Sequence, residues 1–477
     1  MSTTKCRCYI DIIANHSGVT GSNFLLYVKL PDGREITGIV DLGLFQEKKW
    51  EIYNSKLLFK PSEIDFALVT HVHVDHIGRL PLLAKYNYLG KVYCSEDTAK
   101  LLPIALYDSQ KVLRTKAKRN NWKSVYDEQD VMKICKSIVG MPYNEPFMVH
   151  ENVRVTLLYN GHLQGAAMIL VQIVDDSGKA YINMLFTGDY CPKNMFFDVL
   201  PVPQWVRNLP ITIICESTYG DIDAKQQVKC FCSNIKKSVE NGDSILIPAF
   251  SLGRVQEILY TLKSMQENDS LKKSIPIYLD GNLAVKYTRL FKSGCLCLNE
   301  KGADFLPENF QIIGNGVREE IMRSKNQKII VTTSGMGSYG PAQSYIPYFL
   351  GRTKSLIHFT GYCAEGTFGR KLIDTRENEF VTSGDGGGTL AIKRSRVEST
   401  SEFSAHAKAD QLIKLLKKFN NLNSVILNHG AEEVKLKFAK RVFEEVECSK
   451  VGIINREEGF RIGQYGIVKN LNLDLRA

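Results

Sequence analysis

Three histidines and one aspartate lie within six consecutive positions of the stretch Thr70–Pro81 (THVHVDHIGRLP). The chain has only nine histidines in all, so the concentration of His71, His73 and His76 around Asp75 is unusual. An imidazole or a carboxylate in an apolar interior costs free energy unless it is paired or bound to a metal ion. These side chains are therefore expected to be either exposed to solvent or held by a ligand.

The spacing H-x-H-x-D-H is typical of a metal site. His71 and His73 are expected to project together, with Asp75 and His76 coming from the next bend, so the motif supplies two neighbouring sets of ligand atoms. Imidazole and carboxylate are the usual ligands of Zn²⁺ at hydrolytic sites, where one position stays open for water. The alternative is a polar loop with coincidental histidines, and the specificity of the motif argues against it.

Several β-strand patterns end just before a residue that can bind metal or transfer a proton. The apolar run Ile64–Thr70 (IDFALVT) predicts a buried strand that delivers His71. The same pattern precedes His162 (VRVTLLYNGH), Asp189 (YINMLFTGD), Glu216 (ITIICES) and His429 (SVILNH). Because the ends of adjacent strands lie close together and ligand sites gather there, these residues are expected to converge.

Helical patterns alternate with these strands, as in GRVQEILYTLKSMQ and EEVKLKFAKRVFEEV, so the chain belongs to the α/β class. Its 477 residues exceed one ordinary core and suggest two domains, one inserted in the other. Hydrophobic residues make up 44% and charged residues 23%, which excludes a disordered protein. The net charge of +10 favours an anionic partner, although it is weak evidence for nucleic acid by itself.

No targeting or membrane segment is expected. The first residues, MSTTKCRCYIDIIANHSG, contain no apolar run long enough for a signal peptide, and no later run approaches the length of a membrane span. The twelve cysteines form no framework of C-x-x-C pairs, and free thiols in a reducing compartment are the expected state. We therefore expect a cytoplasmic protein with no membrane partner.

Six short stretches together resemble one known family. They are THVHVDHIGRLP, NGHLQGAAM, FTGDY, CESTYG, FSAHAKAD and LNHG, and their order is similar to that of the motifs in the metallo-β-lactamase-fold nucleases of the β-CASP group. The resemblance covers nearly the whole chain and includes stretches without ligands, such as PAFSLGRVQEILY. It implies an α/β fold in which a metallo-β-lactamase αββα sandwich carries an inserted β-CASP α/β cap domain. Residues 1–220 and 396–477 would form the sandwich, the latter as its C-terminal, RNA-metabolising return, and residues 221–395 would form the cap.

The resemblance also implies a set of metal ligands. One of two Zn²⁺ ions per chain would be held by His71, His73 and His162, and the other by Asp75, His76 and His429, with Asp189 bridging the two. Two such ions, two aspartates and a bridging hydroxide leave a net charge of about +1, which suits a phosphodiester anion. Asp41 in IVDLG matches a motif whose carboxylate orients a ligand histidine, although a simple turn residue is the competing interpretation.

A catalytic set follows from the same resemblance. His406 in FSAHAKAD would protonate the leaving oxygen, Glu216 would orient it, and Asp75 would act beside the metals. Taken alone, the histidine and the glutamate are as well explained by structural roles. Ser334, in the turn TSGMGSYGP, is a candidate for binding a substrate phosphate, with a plain tight turn as the alternative. Ala166 departs from the family, in which a serine is usual, and this affects substrate contacts rather than ligands.

The implied activity is that of a hydrolase, a zinc-dependent ribonuclease. It would cut single-stranded RNA internally with a metal-bridged hydroxide and leave 5′-phosphate and 3′-hydroxyl ends. The alternatives are a single-strand DNA nuclease, a different hydrolase of the same fold, and a non-catalytic scaffold. His429 favours RNA, because members of the DNA-repair branch of the family have a valine there.

A homodimer and an RNA-processing complex are both compatible with the sequence. The core pattern starts within about twenty residues, too few for an N-terminal RNA-binding domain of ordinary size.

One further segment could contact RNA. The stretch 114–123 (RTKAKRNNWK) places five basic residues around Trp122. A patch that follows a nucleic-acid backbone, with one aromatic ring for stacking, is one interpretation. A solvated helix face is an equally good one.

Overall fold

The computed structural model describes residues 8–16, 18–47, 49–314, 316–337, 340–361, 363, 367–382 and 389–472. Two compact units divide the chain. The first holds the chain up to Asn194, then Asp198–Lys225, and everything from Ala405 onward. The second holds Met195–Phe197 and Gln226–Ser404. The limits of the inserted domain expected from the sequence, 221 and 395, lie near these boundaries.

The N-terminal part of the first unit supplies most of its strands. They are β1 (Tyr9–Ala14), β2 (Phe24–Lys29), β3 (Glu35–Val40), β4 (Phe66–Leu68), β5 (Val92–Ser95), β6 (Ile138–Met141), β7 (Pro146–His150), β8 (Val153–Tyr159), β9 (Ala167–Val174), β10 (Ala180–Phe186) and β11 (Ile211–Glu216). The helices of this part are α1 (Val74–Ile77), α2 (Pro81–Lys85), α3 (Glu96–Arg119), α4 (Glu128–Cys135) and α5 (Gln204–Arg207).

The second unit is built on a parallel sheet. Its strands are β12 (Ser244–Pro248), β13 (Ile277–Asp280), β14 (Phe310–Ile312), β15 (Ile329–Thr332), β16 (Ser355–Phe359), β17 (Phe380–Thr382), β18 (Thr389–Ile392) and β19 (Arg396–Ser399). Its helices are α6 (Phe231–Glu240), α7 (Arg254–Glu267), α8 (Asn282–Lys292), α9 (Glu300–Ala303), α10 (Arg318–Arg323), α11 (Ala342–Leu350) and α12 (Phe368–Asp374). Six strands pair in the order β14-β13-β15-β12-β16-β19, and β17 pairs with β18.

The chain then returns to the first unit through α13 (Ala409–Leu416), β20 (Leu422–Asn428), α14 (Glu432–Glu445), β21 (Lys450–Ile453), β22 (Glu458–Gly463) and β23 (Gly466–Asn472). This return completes two sheets. One has the order β23-β22-β1-β2-β3-β4-β5-β6, and the other has the order β21-β20-β11-β10-β9-β8-β7. The neighbouring strands β10, β11, β20 and β21 of the second sheet run parallel.

The main core of the first unit lies between its two sheets. Ile10 and Leu26 from one sheet pack in a single buried cluster with Val155 and Ile169 from the other. A second cluster joins the outer face of the seven-stranded sheet to α13 and α14. Because both of its faces are covered, β9 is buried along its whole length. The α/β class and the αββα sandwich with an inserted α/β domain are confirmed.

Several elements predicted from the sequence are present. The two quoted segments with helical periodicity form α7 and α14. The strand expected over Ile64–Thr70 is shorter, because only Phe66–Leu68 is extended within the ladder. Thr70 leaves the ladder, since its backbone N–H donates to the carboxylate of Asp41 at 2.8 Å. Within the described ranges, none of the helices combines the length and apolarity needed to cross a membrane.

Candidate metal centre

Five strand-end residues meet at one edge of the first unit. His71 lies just beyond β4 and His162 just beyond β8. Asp189 follows β10, Glu216 is the last residue of β11, and His429 follows β20. Because β10, β11 and β20 are adjacent parallel strands, their carboxyl ends place the last three side chains next to one another.

The first group of candidate ligands consists of three imidazoles and one carboxylate. The Nδ1 atom of His73 lies 3.1 Å from Nε2 of His71 and 3.0 Å from Nε2 of His162. Oδ2 of Asp189 lies 3.5 Å from Nε2 of His71 and 3.6 Å from Nε2 of His162. Ligand atoms around a tetrahedral Zn²⁺ are separated by about 3.3 Å, as bonds of about 2.0–2.1 Å require. The spacing of this group therefore fits one such cation.

The second group lies on the other side of Asp189. The Nε2 atoms of His76 and His429 are 3.4 Å apart, and Oδ2 of Asp75 lies 3.8 Å from Nε2 of His429. Oδ1 of Asp189 is 3.4 Å from Nε2 of His76 and 3.4 Å from Nδ1 of His429. Asp75 and His76 both belong to the single turn of α1.

Asp189 connects the two groups through its two carboxylate oxygens. The residue is 2% exposed, and its Oδ1 atom accepts no hydrogen bond from the residues that the structure describes. Burial alone would raise the pKa of this carboxyl, but the nearby imidazoles of His429 and His76 hold it well below its usual range. A buried ionised oxygen without a hydrogen bond is costly unless a cation neutralises it. The donor set thus fits a pair of divalent cations that share this carboxylate.

The histidines of the first group are suited to act as neutral ligands. Burial lowers the pKa of His71 and of His162 well below the usual value. Burial likewise lowers the pKa of His73 to about 4. A metal ion binds the neutral imidazole, so these side chains are already in the protonation state that coordination needs at neutral pH.

Asp41 contacts the second group on the side of the His76 ring that does not face Asp189. Its Oδ2 atom lies 2.6 Å from Nδ1 of His76, which leaves Nε2 of that ring facing Asp189. Both oxygens of Asp41 also accept hydrogen bonds from Thr70, one from the backbone N–H and one from the hydroxyl, each at 2.8 Å. Asp41 has a positive φ of 58°, so it is a turn residue as well as the partner of a histidine. The geometry matches an acid that fixes the orientation of a ligand ring.

Three further contacts of this kind were not anticipated from the sequence. Nδ1 of His162 lies 2.8 Å from the carbonyl oxygen of Ala405. The hydroxyl of Thr218 lies 2.9 Å from Nδ1 of His429, and that of Thr70 lies 3.0 Å from Nδ1 of His71. The two threonines lie within the motifs CESTYG and THVHVDHIGRLP, which is a usable signal. The backbone carbonyl of Ala405 has no such signal, because every residue has one.

His406 and Glu216 form a pair beside Asp189. Nδ1 of His406 lies 3.0 Å from Oε2 of Glu216, and its Nε2 lies 3.9 Å from Oδ2 of Asp189. The backbone N–H of Tyr190 donates to the other oxygen of Glu216, which fixes this buried carboxylate. Burial would lower the pKa of His406, but the charges of Glu216 and Asp189 outweigh it and raise the pKa above the usual value. The side chain of His406 is 20% exposed, and Nε2 is the ring nitrogen that does not face Glu216.

Ser334 does not belong to the first unit, which contains both ligand groups. It belongs to the second unit and follows β15. Its Oγ atom is buried and has no hydrogen-bond partner among the described residues. Its role as a phosphate contact stays a prediction.

Three family models match successive parts of the chain. They are the metallo-beta-lactamase superfamily over residues 18–149, the Beta-Casp domain over residues 255–372, and the Zn-dependent metallo-hydrolase RNA specificity domain over residues 392–451. The last interval contains His406 and His429. The matched intervals follow one another in the order implied by the sequence motifs.

The chain is also similar to several curated proteins. An RNase J-like protein of Methanocaldococcus jannaschii is 30% identical over 392 residues, which cover 80% of this chain and 86% of that protein. The transcription termination factor FttA of Methanosarcina mazei is 30% identical over 424 residues, covering 84% of this chain and 63% of the factor. Ribonuclease TTHA0252 of Thermus thermophilus is 28% identical over 449 residues, covering 91% of this chain and 96% of the enzyme. The chain thus spans less than two thirds of the length of that termination factor.

Proposed function

Since the chain belongs to the β-CASP family of the metallo-β-lactamase superfamily, we propose that it is a metal-dependent ribonuclease that cleaves single-stranded RNA internally. The observation that carries this proposal is the buried Asp189, which directs one oxygen to each of two ligand groups and lies beside the pair His406–Glu216. Relatives of similar length carry ribonuclease names, which supports the same conclusion.

The ligand assignment within this proposal follows the two groups. One Zn²⁺ ion would be held by His71, His73 and His162, a second by Asp75, His76 and His429, and Asp189 would serve both. When bound, such a pair of ions supplies an activated water nucleophile at neutral pH and neutralises charge on the phosphate. Asp41 lies 2.6 Å from Nδ1 of His76 and would thereby leave Nε2 of the same ring to the ion.

The remaining chemistry falls to His406. Cleavage of a phosphodiester requires a proton on the leaving oxygen, and Nε2 of His406 is the ring nitrogen that does not face Glu216. The raised pKa of this histidine favours the protonated form that a general acid needs. Glu216 holds the ring in orientation and stabilises its charge. The products would carry 5′-phosphate and 3′-hydroxyl ends.

Two observations favour RNA over DNA as the substrate. The position of His429 beside Asp75 and Asp189 completes the second ligand group, as in the RNA-processing members that the sequence motifs resemble. The matched interval that contains this histidine belongs to a domain described as an RNA specificity domain. The 2′-hydroxyl is the group by which a protein distinguishes the two polymers.

We expect single-stranded RNA to be cut much faster than DNA of the same sequence. Both rates are measured at one salt concentration, because binding to the backbone depends on salt. An RNA with a 2′-O-methyl group at the scissile nucleotide serves as the control, and it should still be cut, since the nucleophile is water. A rate on DNA equal to or above that on RNA would contradict the choice of substrate.

A further inference from the structure

The C-terminal end of α3 carries a cluster of exposed basic residues beside an exposed tryptophan. The helix has 24 residues and is therefore about 36 Å long. Its first turn contacts the loop that carries His162, since the hydroxyls of Ser95 and Thr98 donate to the carbonyl of Gly165 at 2.5 and 2.7 Å. Its far end carries the residues that we call the α3 patch, which are Arg114, Lys118, Arg119, Trp122 and Lys123.

Trp122 is the least expected member of the α3 patch. Its side chain is 65% exposed, whereas tryptophan is on average a highly buried residue. Its backbone N–H donates to the carbonyl of Ala117 at 2.8 Å, so the residue is fixed at the end of the helix while its ring faces solvent. The indole thus forms an exposed, flat apolar surface, and basic residues precede and follow it in the sequence.

The positive charge of the α3 patch is not neutralised by the residues that the structure describes. Residues 109–126 contain no aspartate or glutamate. In the part of the chain that the structure describes, Lys118, Arg119 and the other two cations of the patch take part in no ion pair, whereas nearby Lys116 pairs with Glu51 at 2.5 Å. A helix dipole favours basic residues in the last turn. That effect accounts for Lys118 and Arg119 but not for the exposed indole or for the charge beyond the helix.

A second aromatic segment borders the α3 patch. The ion pair between Lys116 and Glu51 ties the short helical turn Glu51–Tyr53 to α3. This turn carries Ile52, which is 64% exposed, and follows Trp50, whose ring has the ammonium group of Lys49 at 5.3 Å from its centroid. Basic and aromatic side chains therefore occur together in both segments.

We propose that the α3 patch binds single-stranded RNA outside the catalytic centre, with the cations on phosphates and a base stacked on Trp122. The inference rests on the proposed function and extends it to substrate binding. Exposed aromatic rings flanked by unpaired cations are the combination by which proteins hold single strands without sequence preference. An acidic peptide would use the cations but would leave the indole unexplained. Long RNAs would thus gain affinity from a surface that short ones do not reach.

The test compares two double variants that change charge equally. Lys118→Glu with Arg119→Glu alters the α3 patch, and Lys437→Glu with Lys440→Glu alters exposed positions of α14 and serves as the control. Binding of a labelled single-stranded RNA is followed by fluorescence anisotropy with a chelator present, so that no cleavage occurs. We expect weaker binding only for the patch variant. The slope of log K against log salt should become less steep by about 0.7 for each phosphate that the variant no longer binds.

The aromatic contact is tested separately with Trp122. Trp122→Ala should weaken binding of a long RNA roughly 5- to 150-fold, the range for one stacked base, whereas Trp122→Phe should retain most of the affinity. Cleavage of an RNA of roughly 6 nucleotides, near the lower end of single-strand site sizes, should be unchanged in all variants. Unchanged affinity and salt slope in the patch variants would overturn the proposal and point to an acidic protein partner. Binding is measured without metal, so its result does not depend on catalysis. If the protein proved inactive as a nuclease, the proposed function would be refuted but the result on RNA binding would still hold.

Discussion

Replacing Asp189 with alanine is expected to remove both metal ions and to abolish RNA cleavage. The reason is that its two oxygens each face a different ligand group, so one substitution takes a ligand from both sites. Metal content, measured by plasma mass spectrometry, should fall from about two ions per chain to nearly none, because the substitution removes the one anionic ligand of the first group and leaves two buried cations without the charge that they share. Circular dichroism reports whether the fold is retained.

Asp176→Ala is the matched control for this experiment. Asp176 is an exposed aspartate in the turn between β9 and β10, the hairpin that leads into Asp189. It should keep both ions and full activity. If Asp189→Ala also kept both ions and normal activity, the assignment of Asp189 as the shared ligand would be wrong.

The second large effect is expected for His406→Ala. The variant should retain its metal ions, because the two ligand groups are intact, yet cleave RNA roughly 10²–10⁴ times more slowly, as is typical for the loss of a general acid. The defect should shrink on a p-nitrophenyl phosphodiester, whose leaving group departs without a proton. His150→Ala, on the edge strand β7, is the control and should cleave both substrates normally.

This comparison of substrates separates catalysis from structure. Glu216→Gln should show a weaker form of the same pattern, since it acts by orienting the ring of His406 at 3.0 Å. Equal slowing of His406→Ala on both substrates would instead mean that the histidine holds the structure or binds the substrate.

The sequence was most informative where residue type and strand position coincided. The residues after β4, β8, β10 and β20 were identifiable because buried strands have apolar patterns and their ends gather at one edge of a sheet. The family resemblance then assigned these residues to two metal ions. Strand patterns alone do not make that assignment. The pairing of β20 with β11 joins strands that are far apart in the sequence, so the order of the strands beside His429 has no local signal.

Other features needed the structure. The pairing of His162 with the carbonyl of Ala405 depends on backbone placement, and no residue type indicates it. Which oxygen of Asp189 faces which group is likewise a matter of side-chain rotation. The exposure of Trp122 is likewise set by tertiary packing, and it is the observation on which the proposed stacking contact rests.

A titration of RNA cleavage with metal tests the central claim most directly. Protein stripped with a chelator is given increasing amounts of Zn²⁺, and single-turnover cleavage of a labelled single-stranded RNA is measured together with bound metal and the chemistry of the product ends. We predict no cleavage by the stripped protein, full recovery at about two ions per chain, and products with 5′-phosphate and 3′-hydroxyl ends. Undiminished cleavage without metal, or products ending in a 2′,3′-cyclic phosphate, would contradict a dinuclear metal-dependent ribonuclease.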